Sequence, residues 1–234
     1  MRKLLSFISI FTFFFTLNVF AKQESNGKVI ALKGDVYILE YQKGYKKTRL
    51  FVKAVVNPQD IILTSENGAV KIKLADGSSI FIKQNSRIKF SFVSKKSQRI
   101  QVSEGGILSR VSKLTVNKGF SVNTPNSVAG VRGTKFIVEH DENKKENRVD
   151  VYEGKVDYDQ ISVSRAKKIE SVRGKIVTGH ERKYSKKSQA ITKGGAISAS
   201  SDSSSTKRSI NNELLNKYES LIDEDVNISG WEFN

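Results

Sequence analysis

The sequence has no cysteine, two prolines, two histidines and one methionine among 234 residues. Without cysteine there are no disulfides, no thiolate metal ligands and no lipid-modified N-terminal cysteine. The two histidines leave little room for imidazole chemistry. His140 sits beside Asp141 and Glu142 in a charged stretch that reads as a hairpin tip, and His180 lies in Gly179-His180-Glu181-Arg182. Neither has a second ligand at metal-binding spacing, so both read as surface histidines. No serine occupies a nucleophile elbow, and no glycine-rich loop runs from a strand into a helix. The sequence therefore predicts no catalytic residue, no metal and no cofactor, and it reads as a non-enzyme. Carboxylates that converge only in space stay open.

Acidic residues are also scarce. Lys and Arg number 40 against 24 Asp and Glu, a formal net charge of +16. Two readings follow. Lysines can coat a β surface and discourage edge pairing, or they can attract an anionic partner. The basic residues are spread along the chain rather than clustered with aromatics, so nucleic acid is not an expected partner.

Long apolar runs are confined to the N-terminus. Arg2 and Lys3 precede an apolar stretch from Leu4 to Phe20, and Val19-Phe20-Ala21 offers a small-residue cleavage site. That order reads as a signal peptide over 1–21. A membrane anchor is the alternative, but the run is slightly short of the about 20 residues a spanning helix needs. Cleavage after Ala21 leaves 213 of the 234 residues and a net charge of +14 once Arg2 and Lys3 are gone. No later segment could cross a bilayer as a helix, so a periplasmic or otherwise exported protein is expected.

From 27 to about 192 the apolar residues recur with period two. Val70, Ile72 and Leu74 alternate with Ala69, Lys71 and Lys73. Asp76-Gly77 follows, a pair that tolerates a tight hairpin turn. Ser78, Ile80 and Ile82 resume the parity, and Ile88, Phe90 and Phe92 continue it after Asn85-Ser86. Even positions should face a core and odd positions water. Leu114 and Val116 lead to Lys118-Gly119, and Phe136 and Val138 lead to a charged tip at His140–Asn147. Val149 and Val151 lead to the turn Glu153-Gly154. Pro58 and Pro125 sit in turn-like contexts. Many short strands at this spacing predict an all-β fold, a multi-stranded β-roll, short β-solenoid or sandwich, over 22–192.

The composition changes at 193. Residues 193–209 are Gly- and Ser-rich and read as a flexible linker. Within 210–234, Leu214, Leu215, Tyr218, Leu221 and Ile222 fall on one face of a short C-terminal helix over Asn211–Asp223. About three turns are marginal alone, so this helix should dock on the β domain or on a partner.

The stretch Asn123-Thr124-Pro125-Asn126-Ser127-Val128-Ala129-Gly130-Val131-Arg132-Gly133-Thr134-Lys135-Phe136-Ile137-Val138, followed by Val149-Asp150-Val151-Tyr152-Glu153-Gly154-Lys155-Val156, resembles the FecR-domain family. Upstream, Gly34-Asp35-Val36, Asn67-Gly68-Ala69-Val70 and Leu74-Ala75-Asp76-Gly77-Ser78 are similar to the family's opening half. The resemblance spans about 27–180. It implies a periplasmic sensor or regulatory module acting through contacts with an envelope protein. The family's founding members carry a cytoplasmic anti-sigma segment and a membrane helix, where this chain has a leader. A binder of an anionic glycan or lipid is the second expectation.

The motif itself poses a physical question. Arg132 interrupts small residues, and a buried guanidinium needs a carboxylate. Glu153, at the following turn, is the local candidate. A pair of Arg132 with Glu153, with Gly130 and Gly133 allowing close backbones, would make Gly130, Arg132, Gly133, Thr134, Phe136, Glu153 and Gly154 an architectural motif. An anion cradle of Arg132 and backbone N–H groups is the rival.

Overall fold

The structure, a computed structural model, describes residues 27–94, 97–112, 119–172, 175–200 and 205–210. The leader at 1–21, Leu114 and Val116, and the helix at Asn211–Asp223 lie outside them. The described strands are β1 (Gly27–Lys33), β2 (Val36–Glu40), β3 (Lys46–Arg49), β4 (Val55–Val56), β5 (Ile61–Thr64), β6 (Ala69–Leu74), β7 (Ser79–Ile82), β8 (Ser86–Ser94) and β9 (Ser97–Arg110). They continue as β10 (Gly119–Thr124), β11 (Ser127–Val131), β12 (Lys135–Asp141), β13 (Glu146–Glu153), β14 (Lys155–Val172), β15 (Lys175–Thr192), β16 (Gly195–Ser200) and β17 (Ser205–Ser209). Apart from a single 3-10 turn at Tyr41–Lys43, the described residues form β-strands and their connections, as the period-two pattern predicts.

Two ladders share the strands. Sheet A runs β4-β1-β6-β7-β9-β12-β13-β16-β17. Sheet B runs β3-β2-β5-β8-β9-β10-β11-β14-β15. Neighbours are antiparallel except β9 with β10. The ends of the ladders are not joined, so the folded-over sheet is open and not a barrel.

Strand β9 belongs to both ladders. Ser97–Glu104 pairs with β8 in sheet B, and Gly105–Arg110 pairs with β7 and β12 in sheet A. The change happens at Gly105, whose φ of 75° lies in the left-handed region that L side chains disfavour. One hydrophobic cluster fills the space between the ladders, with Ile72, Ile80, Ile107, Phe136, Val138 and Val149 from sheet A. Ile38, Ile62, Ile88, Phe90, Val122 and Tyr158 come from sheet B. The even parity read over 70–90 is the core-facing one.

The Asp76-Gly77 turn closes the β6–β7 hairpin, with Gly77 at a φ of 86°. Pro125-Asn126 turns β10 into β11. Glu153-Gly154 acts differently. It carries the chain from β13 in sheet A to β14 in sheet B, two strands that do not pair with each other.

Three sequence expectations are corrected. Residues 193–209, read as a flexible linker, include β16 and β17, which extend sheet A from β13. Ile197 joins the core and Ala196 and Ala199 are buried, so a low-complexity composition still supplies one apolar stripe, and the ladder satisfies its backbone. His140 is buried rather than at a tip. The turn spans only Glu142–Lys145, so β12 continues through His140 with the inward parity of Phe136 and Val138. Finally, the odd face of β6 and β7 is not solvent-facing throughout, because Lys71 and Phe81 are both buried.

Candidate functional site

The motif residues lie where the chain crosses between the ladders. Gly130 is in β11, opposite Asp157 and Ser121. An added Cβ there would meet its nearest neighbour, the Asp157 carbonyl, at an ordinary 3.6 Å, so close approach does not require a glycine at 130. The β11-to-β12 crossing is Arg132-Gly133-Thr134, with Gly133 at a φ of 62°. Gly154, at a φ of 83°, packs on that crossing. A Cβ on it would lie 2.6 Å from Thr134 Cγ2 and 2.9 Å from the Gly133 carbonyl oxygen. Thr134 is buried, and its carbonyl accepts from the Val111 N–H at 2.8 Å. Phe136 is fully buried in the core.

The expected pair of Arg132 with Glu153 does not form. Arg132 is exposed at the bend, so its guanidinium has no burial cost for a carboxylate to offset. Glu153 stands opposite Lys135 in the β12–β13 ladder, and Lys135 Nζ lies 3.6 Å from its Oε2. What couples the two halves of the motif is backbone packing of Gly154 on Gly133-Thr134.

Around this crossing the structure opens a cleft of about 390 Å³, lined by Lys73, Gly77, Arg110, Ser112, Thr134, Lys135 and Glu153 among others. Its floor is set by register: Lys73 pairs with Ser79, Ser79 with Arg110, Arg110 with Lys135, and Lys135 with Glu153. Three cations thus share one end of sheet A with a single carboxylate. Thr134 Oγ1 is buried without a hydrogen-bond partner. The excess of positive charge gives this end of sheet A a potential that favours anionic groups, while the Thr134 hydroxyl itself is closed off from solvent. Nothing in the cleft pairs a nucleophile with a base, and among the described residues no group of His, Asp and Glu could hold a metal.

Of the residues lining the cleft, the architectural motif read from the sequence contains Gly133, Thr134 and Glu153 but not Lys73, Arg110 or Lys135. These cations come from three separate strands, and no local signal joins them. Sequence reasoning also missed a polar cluster at the other end of the core. His140 Nδ1 and Asn147 Oδ1 are 2.7 Å apart, and Asn147 Nδ2 donates to Asn126 Oδ1. Thr124 and Ser127 share a hydroxyl bond at 2.7 Å. Burial holds the nearby Tyr158 hydroxyl above the usual tyrosine range. The His180 side chain lies outside the described ones.

On the outer face of sheet A, Arg148 grips Asp150 through two hydrogen bonds, Nε to Oδ1 at 3.1 Å and Nη2 to Oδ2 at 2.7 Å. Burial pushes the Asp150 carboxyl up while the Arg148 fork pulls against it. Folded Asp150 therefore takes up a proton before the unfolded chain does, and stability gains as pH falls through the raised value toward 3.8. Asp150→Asn lacks that gain. Urea unfolding of both proteins at pH 7 and pH 5 should show wild type gaining on the variant at the lower pH. A constant difference would contradict the raised value.

Residues 60–157 match the FecR protein family. No curated protein matches the chain. Among solved structures, two crystal structures of an anti-sigma factor candidate from Parabacteroides distasonis, at 2.50 and 1.65 Å, share the fold with TM-scores of 0.50. Identity is 14% and 15%, over 68% of this chain. The alignments span 63% and 64% of those chains, a little under two thirds. The Gly133-Thr134 crossing with Gly154 packed on it lies inside the stretch that is similar to the FecR protein family.

Proposed function

We propose that this protein is an exported, non-catalytic regulatory or scaffold module, freed of its leader near Ala21, that acts by docking an envelope protein. The observation that carries the reading is the FecR match over 60–157, which includes both halves of the motif and the cleft they border. The fold shared with an anti-sigma factor candidate supports a regulatory role. Among the described residues no helix is long and apolar enough to cross a membrane. The sheet edges suit pairing with an added strand. Purified protein used as bait in solubilised envelope extract should retain a specific protein at physiological salt. Recovery of none would overturn the reading.

One feature favours a second reading, binding of an anionic envelope glycan or lipid. Beyond Gln160, β14 pairs only with β15 among the described residues, so a two-stranded ribbon leaves sheet B. Residues 161–187 hold nine Lys and Arg against two Glu. Charge-driven binding to anionic vesicles or lipopolysaccharide should weaken steeply between low and physiological salt. A flat salt response would exclude this mode.

A further inference from the structure

A transverse row crosses the outer face of sheet A. Lys71 stands opposite Phe81, Phe81 opposite Leu108, Leu108 opposite Ile137, Ile137 opposite Asp150, and Asp150 opposite Ala196. Each has the parity opposite to its core-facing neighbours Ile72, Ile80, Ile107, Val138, Val149 and Ile197, and none belongs to the core cluster. These side chains point away from the core, yet Phe81, Leu108 and Ile137 are only 2%, 0% and 1% exposed. The described strands are all taken up in the two ladders. A leucine on an open sheet face would keep contact with water, and the ladders themselves supply no cover for this row. Lys71, Phe81, Lys83, Arg110 and Lys135, on or beside the row, are each engaged with a partner as well.

We propose that residues 211–223 dock as an amphipathic helix on this row, a ligand of sheet A built into the same chain. Position, length and charge agree. The last described residue, Ile210, donates its N–H to the Gly194 carbonyl at 3.1 Å, beside β16, so the remaining chain begins at this sheet. Thirteen helical residues span about 20 Å, and the four strand spacings from β16 to β7 span about 19 Å. Leu214, Leu215, Tyr218, Leu221 and Ile222 supply an apolar stripe for Phe81, Leu108 and Ile137. In a chain of net charge +16, residues 211–234 hold six Asp and Glu and one Lys. The row is flanked by Lys73, Lys83, Arg110 and Lys135, with Glu139 beside Lys83 and Glu153 beside Lys135, so the acidic tail meets a side of the fold on which flanking cations outnumber carboxylates. Two of these cations, Arg110 and Lys135, also line the cleft, along with Lys73.

The absence of cysteine makes a clean test. In the full chain, Ile137→Cys is combined in turn with Leu214→Cys, Tyr218→Cys and Leu221→Cys, and each pair is oxidised at low protein concentration. At least one pair should close an intramolecular disulfide. Docking raises the local concentration, so closure should run about tenfold or more faster than with Lys47→Cys on the far ladder. Disulfide-linked dimers in place of closed monomers would show a second copy on the face and overturn the proposal. So would the absence of any disulfide in all three pairs. A second variant leaves the row intact: Leu221→Asp in the full chain should raise the fluorescence of a hydrophobic dye severalfold. Unchanged dye binding would equally sink the assignment.

Discussion

Replacing Gly105 by alanine should cost about 3 kcal/mol or more, combining a left-handed backbone with an overpacked site. At Gly105 strand β9 leaves sheet B for sheet A, with a φ of 75°. A Cβ there would lie 2.2 Å from Ser86 Oγ, 2.5 Å from the Asn85 carbonyl oxygen and 2.7 Å from Ser86 Cα. Two of those three atoms are backbone, so a rotamer change cannot relieve the overlap. Ser86 is itself held in place. The Gly106 N–H donates to its Oγ at 3.0 Å, and its own N–H donates to Thr64 Oγ1 at 2.9 Å. Thr64 in turn donates to the Lys83 carbonyl at 2.6 Å. A methyl group would push this chain of bonds apart where the two ladders meet. Gly44→Ala is the matched control. Its φ is 65°, but nothing lies within 4 Å of the added Cβ, so only the backbone cost of about 1–2 kcal/mol should appear. Thermal melts of both variants decide the point. For a domain of this size 3 kcal/mol is a drop of about 10 °C in Tm. Equal stability of the two variants would mean that the crossing at Gly105 is looser than its contacts imply.

Phe136→Ala should be comparably damaging, at about 3–5 kcal/mol for a fully buried aromatic. Phe136 has no exposed surface and follows directly on the crossing in β12, where it stands opposite Val151 and Ser109. Removing the ring leaves a cavity against fixed strands on both sides, and a ladder cannot collapse as a loop can. Phe136→Leu keeps most of the volume and should lose well under half as much. Urea unfolding of the three proteins gives the comparison. A small loss for the alanine variant would place Phe136 outside the core.

The fold was legible wherever the signal was local. Val70, Ile72, Leu74, Ile80 and Ile82 alternate because a strand shows every second residue to one side, and the core takes that parity. Asp76-Gly77 and Pro125-Asn126 announce their turns by residue type. Glu153-Gly154 reads equally as a turn, but sequence does not say whether the next strand returns beside the last or enters the other ladder. The structure sends it across, and Gly154 then packs on Thr134. The sequence analysis joined Arg132 to Glu153 by charge alone. In the fold, register sets Glu153 opposite Lys135 and leaves Arg132 in water. His140 shows the same limit, since a charged neighbourhood suggests a tip while two more residues of ladder draw the ring inside.

By itself, the sequence determined an all-β chain with one apolar parity, its principal turns and an excess of positive charge. These are matters of residue type and spacing along a few neighbouring positions. Only the tertiary structure decided which ladder each strand joins, that Lys73, Arg110 and Lys135 gather at one cleft, and that Phe81, Leu108 and Ile137 are buried behind the core. Such facts depend on pairing between residues tens of positions apart, which period two leaves free. They are settled when glycine crossings and the shared interior fix one register for every strand.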